Sequence, residues 1–401
     1  MRYQKRITHA ALITMIVISA AGILGWVRSY ADTPRVLREN PDSFIRSRMN
    51  ECFANGGRNN CYRDIARELL ERLSPKEILA SFEAQESSPE IFSRCHEVAH
   101  YVGRAAYAEA QSVPLAYEQC TSACHGGCYH GVMEEYLKEK NVSLVQVDDA
   151  AVSHEIYGVC GSESDHKIPR TYWECFHGIG HALMFVTDSN LLRSLRLCDT
   201  LSGQGQIEAC WSGVFMENSS SSTNLDHPSK YIDADDPMYP CTILDQKYLK
   251  LCYQYQSSYF AEITHWQWED TINLCRQVPM EYREGCFHII GTNQVGYTQD
   301  NDKRKQTCDL IADTRFRKAC VSGIVSSLGG RYVGQPDHMR VFCALANTED
   351  REICYRQMGV ALHSWGTDSK ARKEICDQIV DPAGVGWCLL DASSKSQSFV
   401  K

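Results

Sequence analysis

The cysteines of this chain recur at a nearly constant interval, and that interval limits the folds available to it. One cysteine per unit returns about every 34 residues, a period typical of stacked helical hairpins. No Pro/Gly/Ser-rich linker divides the 401 residues. We therefore expect an all-α solenoid of about ten repeats instead of separate compact domains. The recurring cysteines are Cys61, Cys95, Cys128, Cys175, Cys210, Cys252, Cys286, Cys320, Cys354 and Cys388.

The other cysteines indicate how such thin repeats are held together. In most units a partner cysteine precedes the recurring one by about a dozen residues, so each pair is expected to staple the two helices of one hairpin. A disulfide that closes a loop of this size stabilises a fold by about 3 kcal/mol on the chain-entropy model. The pairs predicted from this rule are Cys52–Cys61, Cys160–Cys175, Cys198–Cys210, Cys241–Cys252, Cys275–Cys286, Cys308–Cys320, Cys343–Cys354 and Cys376–Cys388.

The region around Cys95 departs from this rule. Cys95 has no cysteine shortly before it, whereas both Cys120 and Cys124 precede Cys128. The simplest pairing joins Cys120 to Cys128 and lets Cys124 reach back to Cys95, which would tie two units together. A free, reactive or metal-bound thiol pair at Cys95 and Cys124 is the alternative, and the sequence alone leaves this connectivity open.

The expected architecture resembles the helical-hairpin solenoids of the tetratricopeptide and Sel1 type. The period equals that of tetratricopeptide repeats, but their usual Trp, Leu-Gly and Tyr positions are not recovered in this chain. The resemblance therefore concerns architecture alone. It implies a curved array whose concave face is a candidate surface for a protein partner.

The chain begins with a pattern typical of export. An apolar run at residues 10–27 follows Arg2, Lys5 and Arg6. Residues 1–31 therefore read as a cleaved signal peptide or an uncleaved signal anchor, and we expect the anchor. The basic start predicts that the rest of the chain lies on the extracytoplasmic side, periplasmic or extracellular. Twenty cysteines without a CxxC pair suit a disulfide framework in that oxidising compartment.

The rest of the chain divides by composition. Residues 32–50 are polar and are expected to form a spacer, and residues 51–401 form the cysteine-rich repeat domain. In that domain we expect a metal-site half at about residues 84–217 and C-terminal repeats at about residues 241–394.

The net charge of −9 comes without a basic stripe, so nucleic acid is not an expected partner. The membrane is an expected partner, through the N-terminal segment.

Histidines concentrate in three successive units of the array, as pairs of ligand-type residues four positions apart. That spacing places both side chains of a pair on one face of a helix. Equivalent positions of successive repeats line one surface about 10 Å apart, so we expect the pairs to converge on one or two transition-metal ions. Copper, iron and zinc all accept such ligands. The pairs are His96/His100, His130/Glu134 and His177/His181.

Two other interpretations of these histidines remain open. A histidine two residues after a cysteine, as at His288, can simply hydrogen-bond the neighbouring unit. The segment from His96 to His100 has the HExxH form of zinc metallopeptidases. In that case Glu97 would be the base that activates water, and His130 or Glu134 would be the third zinc ligand.

The preferred function is a metal-dependent enzyme with its site in the groove of the array. Two units carry extra residues, and we expect their loops, residues 141–165 and 217–240, to form a substrate mouth. Nearly all-histidine ligation in an oxidising compartment suits copper or iron redox chemistry, whereas Glu97 would suit zinc hydrolysis. The competing class is a non-catalytic solenoid, either a protein-binding adaptor or a metal carrier. An open coordination position would favour catalysis, and a closed four-ligand site would favour structure or carriage.

Overall fold

The computed structural model describes residues 41–55, 61–85, 88–140, 148–166, 168–220 and 229–390. In these ranges the chain forms nineteen α-helices and no β-strand, which confirms the all-α prediction. In the first half they are α1 (Pro41–Ala54), α2 (Cys61–Leu70), α3 (Pro75–Ala84), α4 (Pro89–Ala110), α5 (Val113–Gln119), α6 (Gly127–Glu139), α7 (Asp149–Ile156), α8 (Pro169–Val186), α9 (Leu191–Cys198) and α10 (Gln204–Ser220). In the second half they are α11 (Gln246–Ile263), α12 (Trp268–Gln277), α13 (Arg283–Tyr297), α14 (Asn301–Asp309), α15 (Thr314–Arg331), α16 (Asp337–Leu345), α17 (Arg351–Ser364), α18 (Ser369–Cys376) and α19 (Pro382–Leu389).

The predicted membrane segment, residues 10–27, lies outside the described residues. Among the residues that are described, no helix is both long and apolar enough to cross a membrane. Helix α1 begins at Pro41, inside the segment 32–50 that its polar composition suggests is a spacer. This part is helical because Ile45 and Met49 are fully buried against helices α2, α3 and α4.

Ten helices carry the recurring cysteines, and each of them packs along the next. In chain order they are α2, α4, α6, α8, α10, α11, α13, α15, α17 and α19. The intervening helices α9, α12, α14, α16 and α18 each pack against the next helix of this row. The helices that carry the recurring cysteines thus form one continuous row, and most of the other helices pack against it.

Prolines mark the starts of several helices, two of which carry clustered histidines. Helices α3, α4 and α8 begin at Pro75, Pro89 and Pro169. Proline suits the first helical position because an N–H there would have no acceptor within the helix. Before α3, Ser74 and Glu77 add a reciprocal capping box. Four of the clustered histidines lie on α4 and α8, so these starts help to fix their place along the array.

All twenty cysteines form disulfides, and no free thiol is left. The pairs are those that the sequence predicts: Cys52–Cys61, Cys95–Cys124, Cys120–Cys128, Cys160–Cys175, Cys198–Cys210, Cys241–Cys252, Cys275–Cys286, Cys308–Cys320, Cys343–Cys354 and Cys376–Cys388. Nine of them staple one hairpin. The exception, Cys95–Cys124, links α4 to a 3-10 turn at Ala123–Gly126 and so ties two units together.

Glycines let neighbouring long helices approach until their backbones touch. A Cβ atom on Gly131 of α6 would lie 1.9 Å from the carbonyl oxygen of His100, and one on Gly213 of α10 would lie 2.0 Å from that of His177. Only glycine fits at these distances. Because α6 packs so closely on α4, and α10 on α8, short side chains of one helix can reach the imidazoles of its neighbour.

The array curves until its two halves meet. Ser122 donates a hydrogen bond to the carbonyl oxygen of Arg331 at 2.8 Å, and Gln335 donates one to Glu83 at 3.2 Å. Helix α4 also contacts α13. The concave side thereby borders a central cavity of about 1850 Å³, larger than the roughly 300–1,000 Å³ of usual small-ligand pockets.

Candidate metal centre

Five imidazoles meet where helices α4, α6 and α8 pack side by side. Helix α4 carries His96 and His100, α6 carries His130, and α8 carries His177 and His181. Because each pair is four residues apart, its rings lie on one helix face, with centroids 4.7 Å and 4.8 Å apart. The His130 centroid is 5.3 Å from that of His100 and 4.0 Å from that of His181. The structure thus brings together all five histidines that the sequence singles out.

The Nε2 atoms of each histidine pair face each other and have the spacing of metal ligands. The two Nε2 atoms are 3.1 Å apart in His96/His100 and 3.2 Å apart in His177/His181. Two nitrogens bound to one ion at about 2.1 Å lie roughly 2.9–3.4 Å apart, for ligand–metal–ligand angles between octahedral and tetrahedral values. Each pair can therefore bind one ion with little movement.

On helix α4, the outer nitrogens of His96 and His100 are their Nδ1 atoms, and both hydrogen-bond to acceptors from the next unit. His96 Nδ1 lies 2.9 Å from the carbonyl oxygen of Cys124, and His100 Nδ1 lies 2.8 Å from Glu134 Oε1. The other Glu134 oxygen accepts a hydrogen bond from Arg104 at 2.8 Å. Carbonyl and carboxylate groups only accept, so both histidines donate from Nδ1, and Nε2 is the nitrogen that faces inward. Glu134, a ligand in the sequence prediction, is instead placed behind His100 as the group that orients it.

The outer nitrogens of the α8 pair are held in the same way by α10. His177 Nδ1 lies 2.7 Å from Ser212 Oγ, and His181 Nδ1 lies 2.7 Å from Glu217 Oε2. The Ser212 hydroxyl donates its own proton to the carbonyl oxygen of Ala209 at 2.6 Å, so it accepts from His177. All four paired histidines thus use Nδ1 for an outer hydrogen bond, and Nε2 is the nitrogen that can bind a metal once it carries no proton.

His130 differs from the other four histidines. His130 is only 1% exposed, and neither its Nδ1 nor its Nε2 has a hydrogen-bond partner. A buried polar group without a partner typically costs about 1–3 kcal/mol, so a ligand that bonds to this ring would stabilise the fold. Among the described residues, potential ligand atoms within 4.8 Å of one another form two groups that share this histidine, namely His96/His100/His130 and His130/His177/His181.

Burial keeps most of these imidazoles neutral, the form that binds metal. It lowers the pKa of His96 to about 3 and holds the pKa of His130 and of His177 well below the usual value. Burial also acts on His100, but there the attraction and hydrogen bond of the Glu134 carboxylate, together with the attraction of Glu217, outweigh it and raise the pKa.

Glu97, the base of the hydrolase interpretation, follows His96 on α4. Its Oε1 pairs with Arg94 Nη1 at 3.3 Å, while its Oε2 is buried without a hydrogen-bond partner. Burial raises the pKa of this carboxyl. A carboxyl of raised pKa suits acid–base work, so Glu97 stays a candidate base that substitution can test.

The centre borders the central cavity on one side. His130 and His177 line the cavity, and the indole of Trp173 stacks on His177 with ring centroids 4.7 Å apart. Trp173 is 39% exposed and forms part of the cavity wall. The described residues of the two insertions, 148–165, 217–220 and 229–240, are not among those that line this cavity. The substrate mouth predicted for these loops is therefore not found in their described parts.

His288 is a histidine at the equivalent repeat position that has no second histidine beside it. It occupies the position of His177 on helix α13, but the residue four positions later is Thr292 instead of a second histidine. Burial lowers the pKa of His288 to about 4. Among the described residues it belongs to neither group of potential ligands, which makes it a natural control.

Sequence reasoning missed Glu217, the acceptor on α10 that holds His181. A signal for Glu217 exists in the register: it follows His181 by 36 residues, much as Glu134 follows His100 by 34. Two carboxylates at nearly equal spacing after two histidine pairs suggest equivalent roles. Ser212 differs, because its place two residues after Cys210 already suggests a hydrogen bond to the neighbouring unit, and it makes one with His177.

These features define a disulfide-stapled helical array with a histidine-rich centre at the interface of three helices. Its histidines can hold a metal ion, and its ten disulfides indicate an extracytoplasmic compartment. Comparison with known protein families, with curated proteins and with solved structures finds no match. The function must therefore be inferred from the residues and their geometry.

Proposed function

We propose that this chain is an extracytoplasmic metalloenzyme, anchored by residues 10–27, that binds transition metal through five histidines: His96, His100, His130, His177 and His181. The observation that carries the proposal is their convergence, with four rings anchored through Nδ1 and their Nε2 atoms directed inward. Such outer hydrogen bonds fix the orientation and raise the basicity of histidine ligands. A histidine that only packs needs no second imidazole nitrogen at 3.1 Å.

The donor set narrows the choice of metal to copper, iron or zinc. All five candidate ligands offer nitrogen, and every cysteine is in a disulfide, so no thiolate is free to bind. Calcium and magnesium prefer oxygen ligands, whereas imidazole suits copper, iron and zinc. Copper or iron would supply redox chemistry here, and zinc would supply a Lewis acid.

Access to the centre supports an enzyme over a structural site. A group of three histidines leaves a coordination position open on a four-coordinate ion. His130 and His177 border the central cavity, which can bring a substrate to that position. A metal carrier is the nearest alternative, since the same histidines could hold an ion without leaving a position open for substrate. A protein-binding adaptor is less well supported, because contacts such as Ser122–Arg331 narrow the concave face.

Elemental analysis of the exported protein tests metal binding. We expect a bound transition metal in the wild-type chain and its loss in a His100→Ala/His177→Ala double variant, with helical content and disulfides unchanged. His288→Ala is the matched control, because it removes a partly buried histidine of the same register outside the centre. Full metal retention in the double variant would mean that the histidines are packing residues, and the adaptor function would then lead.

A second experiment separates the enzyme from the carrier and the redox enzyme from the hydrolase. Azide should bind the copper-loaded protein at the open position and produce a charge-transfer absorption band, whereas a closed site would show none.

Glu97→Gln should leave metal content unchanged in every case. If the protein is a redox enzyme, the Glu97→Gln variant should also keep nearly unchanged turnover. If it is a zinc hydrolase, the same variant should have no turnover.

A further inference from the structure

The candidate ligand atoms of the centre do not form a single group. Two nitrogens bound to one ion at about 2.1 Å are at most about 4.2 Å apart, the value for opposite ligands. Within the described residues, atoms that lie within 4.8 Å of one another form only groups of three, with one histidine pair in each. One ion therefore cannot bind both pairs unless the helices move.

The first group, His96/His100/His130, is already arranged around an ion position. Its ring centroids are 4.7, 5.3 and 5.3 Å apart, and its ring planes meet at 70°, 72° and 77°. Three histidines on a tetrahedral ion with metal–nitrogen bonds of about 2.1 Å have centroids roughly 5 Å apart. The measured distances match this value, and nearly perpendicular rings avoid one another around the ion.

The second group, His130/His177/His181, is arranged less completely. The centroids of His177 and His181 are 4.8 Å apart, and those of His130 and His177 are 5.3 Å apart. His130, however, lies flat on His181 with centroids 4.0 Å and planes 15° apart. Two parallel rings cannot both direct in-plane lone pairs at one ion, so His130 must tilt before it completes this group.

From this asymmetry we infer that the centre holds two metal ions bridged by the imidazole ring of His130, which load in order. The first ion binds to His96, His100 and one nitrogen of His130. The second ion binds to His177 and His181 and takes the other nitrogen of His130, whose single N–H proton leaves to solvent. This inference rests on the proposed metal centre and adds the number of ions, their order and the role of His130.

The burial of His130 supports this role. Both of its nitrogens lack a hydrogen-bond partner, whereas each paired histidine has an acceptor at Nδ1. A terminal ligand needs such an acceptor to fix its tautomer, but a bridging ligand uses both nitrogens for metal. The ring that is shared by the two groups is thus also the ring that has no other partner.

The two ions would differ in their access to substrate. His177 lines the central cavity together with His130, whereas His96 and His100 are not among the cavity-lining residues. The second ion therefore faces the cavity beside Trp173, and the first lies behind it against Glu134 and Arg104. Substrate would meet the later-loading ion, with the first ion coupled to it through the bridge.

Copper(II) titration of metal-free protein tests the inference, because copper(II) binds most tightly among the divalent first-row metals. The wild-type chain should bind two equivalents. The electron paramagnetic resonance signal should grow with the first equivalent and fall with the second, because a bridging ring couples the two spins. His100→Ala and His177→Ala should each bind about one equivalent without this coupling, and His288→Ala should bind two.

The outcomes separate this inference from the proposed function. Saturation at one equivalent, lost in both His100→Ala and His177→Ala, would mean one shared ion and would overturn the bridge alone. Two equivalents without spin coupling would also overturn it. Absence of copper binding would overturn the metal centre itself. His130→Ala should abolish coupling, and if that variant does not fold, the two single variants still decide the matter.

Discussion

Replacing Gly213 with alanine should damage the metal centre although no histidine is changed. Gly213 on α10 faces the backbone of His177 on α8, and the added Cβ would lie 2.0 Å from its carbonyl oxygen, whereas ordinary contact begins at 3.4 Å. The two helices must therefore separate locally by about 1.4 Å. Overpacking of this kind typically costs about 1–3 kcal/mol.

The same separation removes the acceptors that orient the α8 histidines. Ser212 and Glu217 lie on the same helix as Gly213 and hold His177 and His181 through hydrogen bonds of 2.7 Å each. A displacement of more than 1 Å breaks both bonds. Loss of such outer partners usually lowers metal affinity by roughly 10- to 100-fold, which is the effect expected for Gly213→Ala.

Two other glycines supply the controls. Gly323→Ala creates the same clash, 1.9 Å from the carbonyl oxygen of His288, away from the metal centre. It should lower the melting temperature about as much as Gly213→Ala but leave metal affinity unchanged. Gly205→Ala meets nothing within 4 Å and should be neutral or stabilising by up to about 1 kcal/mol. Thermal unfolding and chelator competition measure the two effects, and wild-type metal affinity in Gly213→Ala would refute the reasoning.

Three further predictions follow from the site, the staples and the start of the chain. Glu217→Gln should weaken metal binding at His181 by roughly 10- to 100-fold in chelator competition while the melting temperature changes little; equal affinity would contradict its orienting role. A reducing agent should lower the melting temperature strongly, since each staple contributes about 3 kcal/mol; an unchanged value would mean that the disulfides add little. Alkaline phosphatase fused after residue 60 should be active outside the cytoplasm; inactive fusions would reverse the localisation.

The cysteine spacing predicts much of the fold because each disulfide is local. Partners such as Cys308 and Cys320 are 12 residues apart, so one hairpin turn brings them together whatever the rest of the array does. The exceptional pair Cys95–Cys124 is the simplest pairing of the cysteines left over by the local rule, but the sequence leaves it open and the structure decides it. The histidine pairs are predictable for the same reason, since one turn of helix fixes their relative position.

Features that depend on how whole helices rotate and curve are not predictable in this way. Whether Glu134 faces the ion or the back of His100 depends on the rotation of α6 against α4, which glycine contacts decide. The closing contact between Ser122 and Arg331 joins residues 209 positions apart. It results from small curvatures added over many repeats, and so does the cavity beside the centre.

The disulfides and the metal centre depend on the same positions of the helices. Cys95 directly precedes His96, and its partner Cys124 supplies the carbonyl oxygen that accepts the His96 hydrogen bond. One covalent link thus sets both the helix that carries a ligand and the group that orients it. Ligands held in this way lose little conformational freedom when metal binds, which favours tight binding. His288 follows a cysteine that is in a disulfide but lacks a second imidazole four residues later. The disulfides are therefore a feature of the whole array, whereas the candidate metal centre depends on the units that carry histidine pairs.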